Sequence, residues 1–241
     1  MPYDPFHQST GQVEVLAAIL ARAESEGADG VAVIDLDGCL FDTRPRQVQI
    51  FRELAGQRGW DDLALIKGEH FQDWSIRNTL KNIGLADERV DEIHDDVHAY
   101  WWKSFFTSDY VIYDHAMPGG PDFVRALKAK GTYIVYLTGR DETMRAGTET
   151  SLVRYGFPLG DRATLIVKPD FETDDTLFKG DAMKQIRTYG DPVIFLDNEP
   201  SNVNRFQDDC PEALVVFVET DHSPKPVVPY KDMPRVKGFL R

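Results

Sequence analysis

Apolar residues along the chain fall into two patterns. Five short unbroken runs, Val31 to Asp35, Tyr133 to Leu137, Ala163 to Val167, Val193 to Leu196 and Leu214 to Val218, are continuous rather than alternating. That is the pattern of parallel strands buried on both faces. Between them, helix signals punctuate the chain. Gly120-Pro121 opens a helix with proline in its first turn, and Gly131 closes it. A second helix is predicted from about Glu142 to Tyr155, stopped by Gly156, and a third from about Gly180 to Tyr189, stopped by Gly190. Another, from about Gln12 to Glu26, precedes the first strand. Strands alternating with helices predict right-handed βαβ units and a three-layer α/β sandwich with five parallel strands.

The stretch from about Thr43 to His115 breaks this pattern and reads as helices throughout. Thr43 can cap a helix with Pro45 in its first turn. Asp73 can cap another, with Ile76, Leu80 and Ile83 on one face and Gly84 as its stop. Asp87 can start a third, in which Val90, Ile93, Val97, Trp101 and Phe105 recur every three or four residues. The predicted organisation is therefore a core of residues 1–42 and 116–241, interrupted by an all-helical domain of residues 43–115. The tail beyond Thr220, with Pro224, Pro226, Pro229 and Pro234, reads as an extended surface segment. Repeats and low-complexity segments are absent from the sequence.

Composition narrows the class of function. The 241 residues carry 27 basic and 40 acidic side chains, a net charge of −13, with 42% hydrophobic and 28% charged residues, as in ordinary globular proteins. Such an acidic balance argues against binding to nucleic-acid backbone or to an anionic membrane. It also means that an anionic substrate needs local help from a metal or clustered bases. The longest apolar runs, Val15 to Ala21 and Ala213 to Val218, fall far short of the roughly 20 residues of a spanning helix. The opening MPYDPFHQST has no basic start followed by an apolar stretch, and the two cysteines, Cys39 and Cys210, suit a reducing compartment. The expected location is the cytoplasm.

The candidate chemistry begins in VAVIDLDGCLFDT, residues 31–43. A buried strand ends in Asp35 and Asp37, whose side chains point the same way on an extended chain, at the sheet edge where open α/β proteins bind ligands. Gly38 lets the backbone turn sharply. Two acids this close repel, so a cation or shared proton belongs between them. Most Asp-x-Asp pairs are only solvated loop acids; the strand, the glycine and the following partners set this pair apart. The second strand ends in YLTGRD, where the Thr138 hydroxyl and the backbone at Gly139 can hold phosphate oxygens, with Arg140 adjacent. The fourth ends in FLDNEPSN, which places Asp197, Asn198 and Glu199 at the same edge and offers a third oxygen ligand for a hard cation. Lys168 and Lys179 lie between these stretches, and a lysine near carboxylates and a phosphoryl group would neutralise charge.

The ordered set DLDG, LTGR, FKG and LDNE, each at its expected element end, resembles the haloacid dehalogenase-like hydrolase superfamily, specifically its aspartate-nucleophile phosphatases. The resemblance covers about Val31 to Asp42 and Gly120 to Val218. It implies a Rossmann-like core, a helical C1-type cap at the position of the insert, and Mg²⁺ as cofactor. It also implies Asp35 as nucleophile, carrying an aspartyl-phosphate, and Asp37 as general acid and base that offers its backbone carbonyl to the metal. Thr138 and Gly139 would bind the phosphoryl group, Lys179 would steady nucleophile and phosphate, and Asp197 would complete the metal ligands Asp35 and Asp37. Lys168 competes with Lys179 for its role, although the helix position of Lys179 matches the family better. This sequence lacks a second acid directly after Asp197, so either Asn198 or Glu199 could stand beside the metal, with Asn202 further on.

A cap excludes water and selects substrates. Arg44, Arg46 and Gln47 on its first helix, together with Arg140 and Lys168, could approach a substrate. The implied activity is hydrolysis of a small soluble phosphate ester, since a cap of about 70 residues would obstruct a folded protein. Rival readings are a phosphomutase, a 2-haloacid dehalogenase, which would need neither Asp37 nor Asp197, and a non-catalytic phospholigand-binding module. His94 and His98, four apart, have no further ligand and read as surface residues. Tyr100, Trp101, Trp102, Phe105 and Phe106 are too many for one helix stripe, so one or two could line a pocket while the rest form the core of the insert. Cys39 reads as a small buried residue.

Overall fold

In the computed structural model, which describes residues 11–240, the strands are β1 (Gly30–Ile34), β2 (Phe41–Asp42), β3 (His115–Ala116), β4 (Tyr133–Asp141), β5 (Ala163–Lys168), β6 (Asp191–Asp197), β7 (Leu214–Val218) and β8 (Arg235–Val236). Six of them form one sheet in the order β5-β4-β1-β6-β7-β8, with every pairing parallel. The chain builds outward from β1 to β5, then returns to the other side of β1 with β6. Ligands bind at such a reversal, outside the carboxyl ends of the strands.

Five of the six strands are those expected from the unbroken apolar runs, and this is a Rossmann-like α/β sandwich. Side chains of β1 alternate between two cores: Ala32 and Ile34 join Leu16, Ile19, Phe123 and Leu127 on one face. Val31 and Val33 join Met183, Ile186, Val203 and Phe206 on the other. The first face is covered by α1 (Gln12–Glu26) and, later in the chain, by the helix at Gly120–Ala129; the second by the three helices at Asp175–Asp181, Met183–Ile186 and Pro200–Asp209. Among the described residues, no helix is long and apolar enough to cross a membrane.

The insert carries α2 (Arg44–Arg58), α3 (Ile76–Asn82), α4 (Asp87–Phe105) and α5 (Ser108–Val111). Its apolar stripes meet in a separate cluster that includes Phe51, Leu54, Leu80, Val90, Val97 and Trp101 and shares no residue with either sheet core. Entry and exit lie side by side, because β2 and β3 pair antiparallel through Phe41↔Ala116 and Asp42↔His115. The remaining helices are α6 (Gly120–Ala129), α7 (Arg145–Arg154), α8 (Asp175–Asp181), α9 (Met183–Ile186) and α10 (Pro200–Asp209).

Three local expectations are corrected. The tail is not only a surface segment: Arg235–Val236 adds the sixth strand, with Glu219 N donating to Val236 O at 2.7 Å, and Met233, Val236 and Phe239 are buried. Pro234 directly before so short a strand hides it, and its pairing is dictated by the exposed edge of β7 rather than by local propensity. Helix α3 is capped by Ser75, whose hydroxyl accepts from Asn78 N at 3.2 Å, while Asp73 accepts from Ser75 N one turn earlier. The helix holding Lys179 starts at Asp175, where the Asp174 carboxylate accepts from Leu177 N, so Lys179 sits in its last turn rather than at its start.

Candidate active site

The β1–β6 ladder runs one residue past β1, with Asp35 N donating to Leu196 O at 2.9 Å, and this fixes Asp35 at the carboxyl edge of the sheet. The chain then folds over Leu36, whose carbonyl accepts from the amides of Cys39, Leu40 and Phe41. Gly38 makes that turn at φ +73°, with Asn198 and the Asp221 carbonyl packed where a Cβ would stand. Only glycine takes this conformation without strain and also fits the space.

Beneath Asp35 the Lys179 ammonium donates to Asp35 Oδ1 at 2.6 Å and to Asp197 Oδ2 at 2.7 Å. All three side chains are buried. Asp197 is further held by Glu199 N (2.8 Å) and by the Asn202 amide (3.1 Å). Burial pushes the Asp35 carboxyl well above the ordinary range, the charges of Asp197 and Asp37 add to this, and Lys179 opposes it. Burial works against the Lys179 ammonium, but Asp197 and Asp35 more than offset it, so the lysine stays charged. Burial likewise pushes the Cys39 thiol up, which keeps it unreactive.

Asp37 stands in a second network. Its carboxylate accepts from Arg140, at 3.1 Å from Nε, and from Arg46 Nη2, also at 3.1 Å. Both guanidinium groups also hold Asp114, which is fully buried at the exit of the insert: Arg46 Nε to Oδ1 is 2.7 Å and Arg140 Nη2 to Oδ2 is 2.6 Å. Arg46 donates in addition to Phe105 O at 3.0 Å and stacks 4.3 Å from the Phe105 ring. Burial alone would raise the Asp37 pKa, but Arg140 and Arg46 outweigh it and hold this carboxyl well below the usual range. Asp114 is pushed up by burial despite the same two arginines.

Thr138 to Arg140 lie within β4 rather than in a strand-to-helix turn. Pairing with β5 jumps from Leu137↔Ile166 to Asp141↔Lys168, so these residues bulge out of the ladder. A bulge of this kind re-aims side chains at a strand end. Thr138 and Gly139 thereby line a cavity of about 140 Å³ together with Asp35, Asp37 and Lys179. Gly139 has Asp175 Oδ2 2.6 Å from where a Cβ would sit. The insert contributes Trp74, Phe105 and Phe106 to the opposite wall.

Other residues singled out from the sequence fall outside this arrangement. Lys168 pairs with Asp175 at 2.7 Å and donates to the Phe171 and Thr173 carbonyls, and does not reach Asp35. Arg44 forms an ion pair with Asp42 and lines a separate cavity between α2 and Phe71. The Asn198 amide donates to Asp221 O, and the Glu199 carboxylate is taken by the backbone N and hydroxyl of Ser223; both residues line the cavity, but Asn202 is the neighbour whose side chain touches Asp197. Arg140 lines the cavity too, with its donors committed to Asp37, Asp114 and Thr148. Asp114 and Trp74 carried no functional signal in the sequence. Among the described residues, no group of three or more His, Cys, Asp or Glu side chains encloses a metal position.

No family profile and no curated protein matches the chain. Solved structures of similar fold include a HAD-superfamily hydrolase of subfamily IA, variant 1, from Geobacter sulfurreducens, at TM-score 0.51 and 14% identity over 88% of this chain and 94% of that one. A candidate phosphatase from Clostridium difficile aligns at TM-score 0.52 and 14% identity over 83% and 89% of the two chains. Protein Tyrosine Kinase A of Mycobacterium tuberculosis aligns at 0.51 and 16% over 87% and 94%. All three structures share this chain's fold.

Proposed function

We propose that the protein is a Mg²⁺-dependent phosphatase that hydrolyses a small phosphate monoester through an aspartyl-phosphate on Asp35. The observation that carries this reading is the Lys179 ammonium shared between Asp35 and Asp197, in the same cavity as Asp37 and Thr138. A buried nucleophilic carboxylate beside a fixed cation is suited to attack on an anionic phosphoryl group, because the cation offsets the repulsion between them.

The donor set fits a magnesium ion. Asp35 and Asp197 would supply two carboxylates and Asp37, as the resemblance implies, a backbone carbonyl, a set that suits a metal preferring one or two carboxylates plus substrate phosphate to an all-protein cage. When bound, the ion would neutralise charge on the phosphoryl oxygens. In the first half-reaction, Asp35 Oδ attacks phosphorus, the P–O bond to the ester oxygen breaks, and Asp37 delivers the proton that the leaving oxygen needs. In the second, Asp37 takes a proton from water as the water oxygen attacks phosphorus, the acyl-phosphate bond breaks and Asp35 is regenerated. Thr138 and the backbone at Gly139 orient the phosphoryl oxygens. As placed against two guanidinium groups, Asp37 is held ionised and is a weak base; to take a proton and deliver it, the carboxyl must turn away from Arg46 and Arg140. The insert wall over the cavity serves to exclude water during the first transfer.

The test is phosphate release from a panel of monoesters with Mg²⁺, with EDTA, and by Asp35→Asn. Turnover is expected only with Mg²⁺, and rapid acid quenching should trap a hydroxylamine-sensitive phosphoryl group on the wild type. Turnover by Asp35→Asn, or activity that survives EDTA, would rule the mechanism out.

A further inference from the structure

Every residue by which the insert lines the cavity is aromatic. Trp74, Phe105 and Phe106 face Asp35 and Thr138 across about 140 Å³, with Met144 contributing from the core side. The rings are mutually braced: Trp74 meets Phe105 edge-on at 6.1 Å, Phe105 meets Phe106 at 5.0 Å, and Phe106 meets Phe171 of the core at 4.9 Å. Trp74 remains 40% exposed. Phe105 is buried and Phe106 half-buried, so Trp74 is the exposed ring of the set, and aromatic rings at the wall of a polar site mark where a ligand's apolar part is received.

The charge layout restricts that part further. The two cations of the cavity, Lys179 and Arg140, are each held by two carboxylates, and the acids Asp175 and Glu199 line the remaining edge. A second anionic group on the substrate would meet Glu199, held by Ser223, and Asp175, paired with Lys168, while both lining cations are already held by carboxylates. A sugar would also fare poorly, since the insert side offers no hydroxyl, amide or carboxylate to its hydroxyls, and unpaired polar groups are costly to bury. The cavity is smaller than the roughly 300 Å³ at the low end for sites that enclose a drug-sized ligand, so it has room for a phosphoryl group and about one ring.

We propose that this wall is a subsite for a flat, uncharged aromatic group close to the ester oxygen, which makes the substrate a small aryl phosphate without a second anionic group. The proposal rests on Asp35 being the phosphoryl acceptor, which locates the ester oxygen. Its test uses non-hydrolysable phosphonates, so that leaving-group reactivity plays no part. Calorimetric titration of the Mg²⁺-loaded protein with benzylphosphonate, ethylphosphonate and 4-carboxybenzylphosphonate measures the preference directly. Benzylphosphonate should bind about tenfold more tightly than ethylphosphonate, and the carboxylated ring should lose that gain. Trp74→Ala and Phe106→Leu, the first at an exposed position, should each reduce the aryl-to-alkyl ratio about threefold or more. A ratio near one, or one unchanged in both variants, overturns the subsite even if phosphate release from alkyl esters is brisk. Aryl preference in a protein that shows no Asp35-dependent hydrolysis would instead leave the subsite standing and overturn the catalytic reading.

Discussion

Replacing Arg46 by methionine tests the network that ties Asp37 to the neck of the insert. Arg46 is fully buried and donates to both oxygens of Asp114, to Asp37 and to the Phe105 carbonyl. Methionine keeps most of the apolar volume but removes the charge, leaving fully buried Asp114 with Arg140 as its remaining guanidinium partner and the Phe105 carbonyl without this donor. Breaking a buried ion pair from one side costs about 3–5 kcal/mol. Because Arg140 still holds Asp114 at 2.6 Å, the lower end, about 3 kcal/mol, is expected. At this chain length that corresponds to a fall in Tm of roughly 6–12 °C. Urea unfolding followed by far-UV circular dichroism reports the whole chain. Tryptophan emission reports the insert, which holds all four tryptophans, Trp60, Trp74, Trp101 and Trp102. Adding Asp114→Asn to Arg46→Met removes the stranded charge, so the double variant should be less destabilised than the sum of the single variants by about 1 kcal/mol or more. A single variant within about 1 kcal/mol of wild type, or strictly additive costs, would refute the reasoning.

Two further predictions follow from the same geometry. Folding lowers the Asp37 pKa, so its ionised form adds stability that is fully present above the unfolded value of about 4 and is lost as pH falls through the lower folded value. The stability deficit of Asp37→Asn should therefore be largest near neutral pH and shrink on acidification below about pH 4; a deficit that grows there would contradict the arginine clamp. Gly38→Ala must adopt φ +73° and displace the Asn198 amide, so it should lower stability by more than about 1 kcal/mol and reduce phosphate release, measurable by thermal melt and steady-state assay.

What could be read from the chain followed the range of the interactions involved. Asp35 and Asp37 were legible because strand geometry sets the direction of neighbours two apart, and the buried run before them announces the strand. Lys179 and Asp197 were legible as residue types at element ends. That Lys179 rather than Lys168 reaches Asp35 depended on where α8 begins, which Asp174 decides by capping, and one turn of helix moves a side chain across the site. The buried partner Asp114 and Trp74 were hidden because their contacts arise only when the insert folds back over the sheet, whereas the excess of aromatics over residues 100–106 pointed to one or two pocket-lining rings, the place that Phe105 and Phe106 take. Arg46 was legible only as a residue that could approach a substrate, because nothing local tells a buried guanidinium from an exposed one. The sixth strand escaped notice because two residues after a proline form a strand only against a partner already in place.

The neck formed by β2 and β3 bears on the order in which the molecule assembles. Every contact of β1 with β4 must span the whole insert, and closing a flexible loop of roughly 70 residues costs about 4 kcal/mol of chain entropy. An insert that collapses first on its own apolar cluster brings Phe41 and Ala116 to neighbouring positions, so the core meets a short bridge instead of a long loop. Weakening the cluster at Leu80 or Val97 should then slow the formation of a sheet that neither residue touches, and the insert becomes a kinetic organiser of the core as well as the roof of its site.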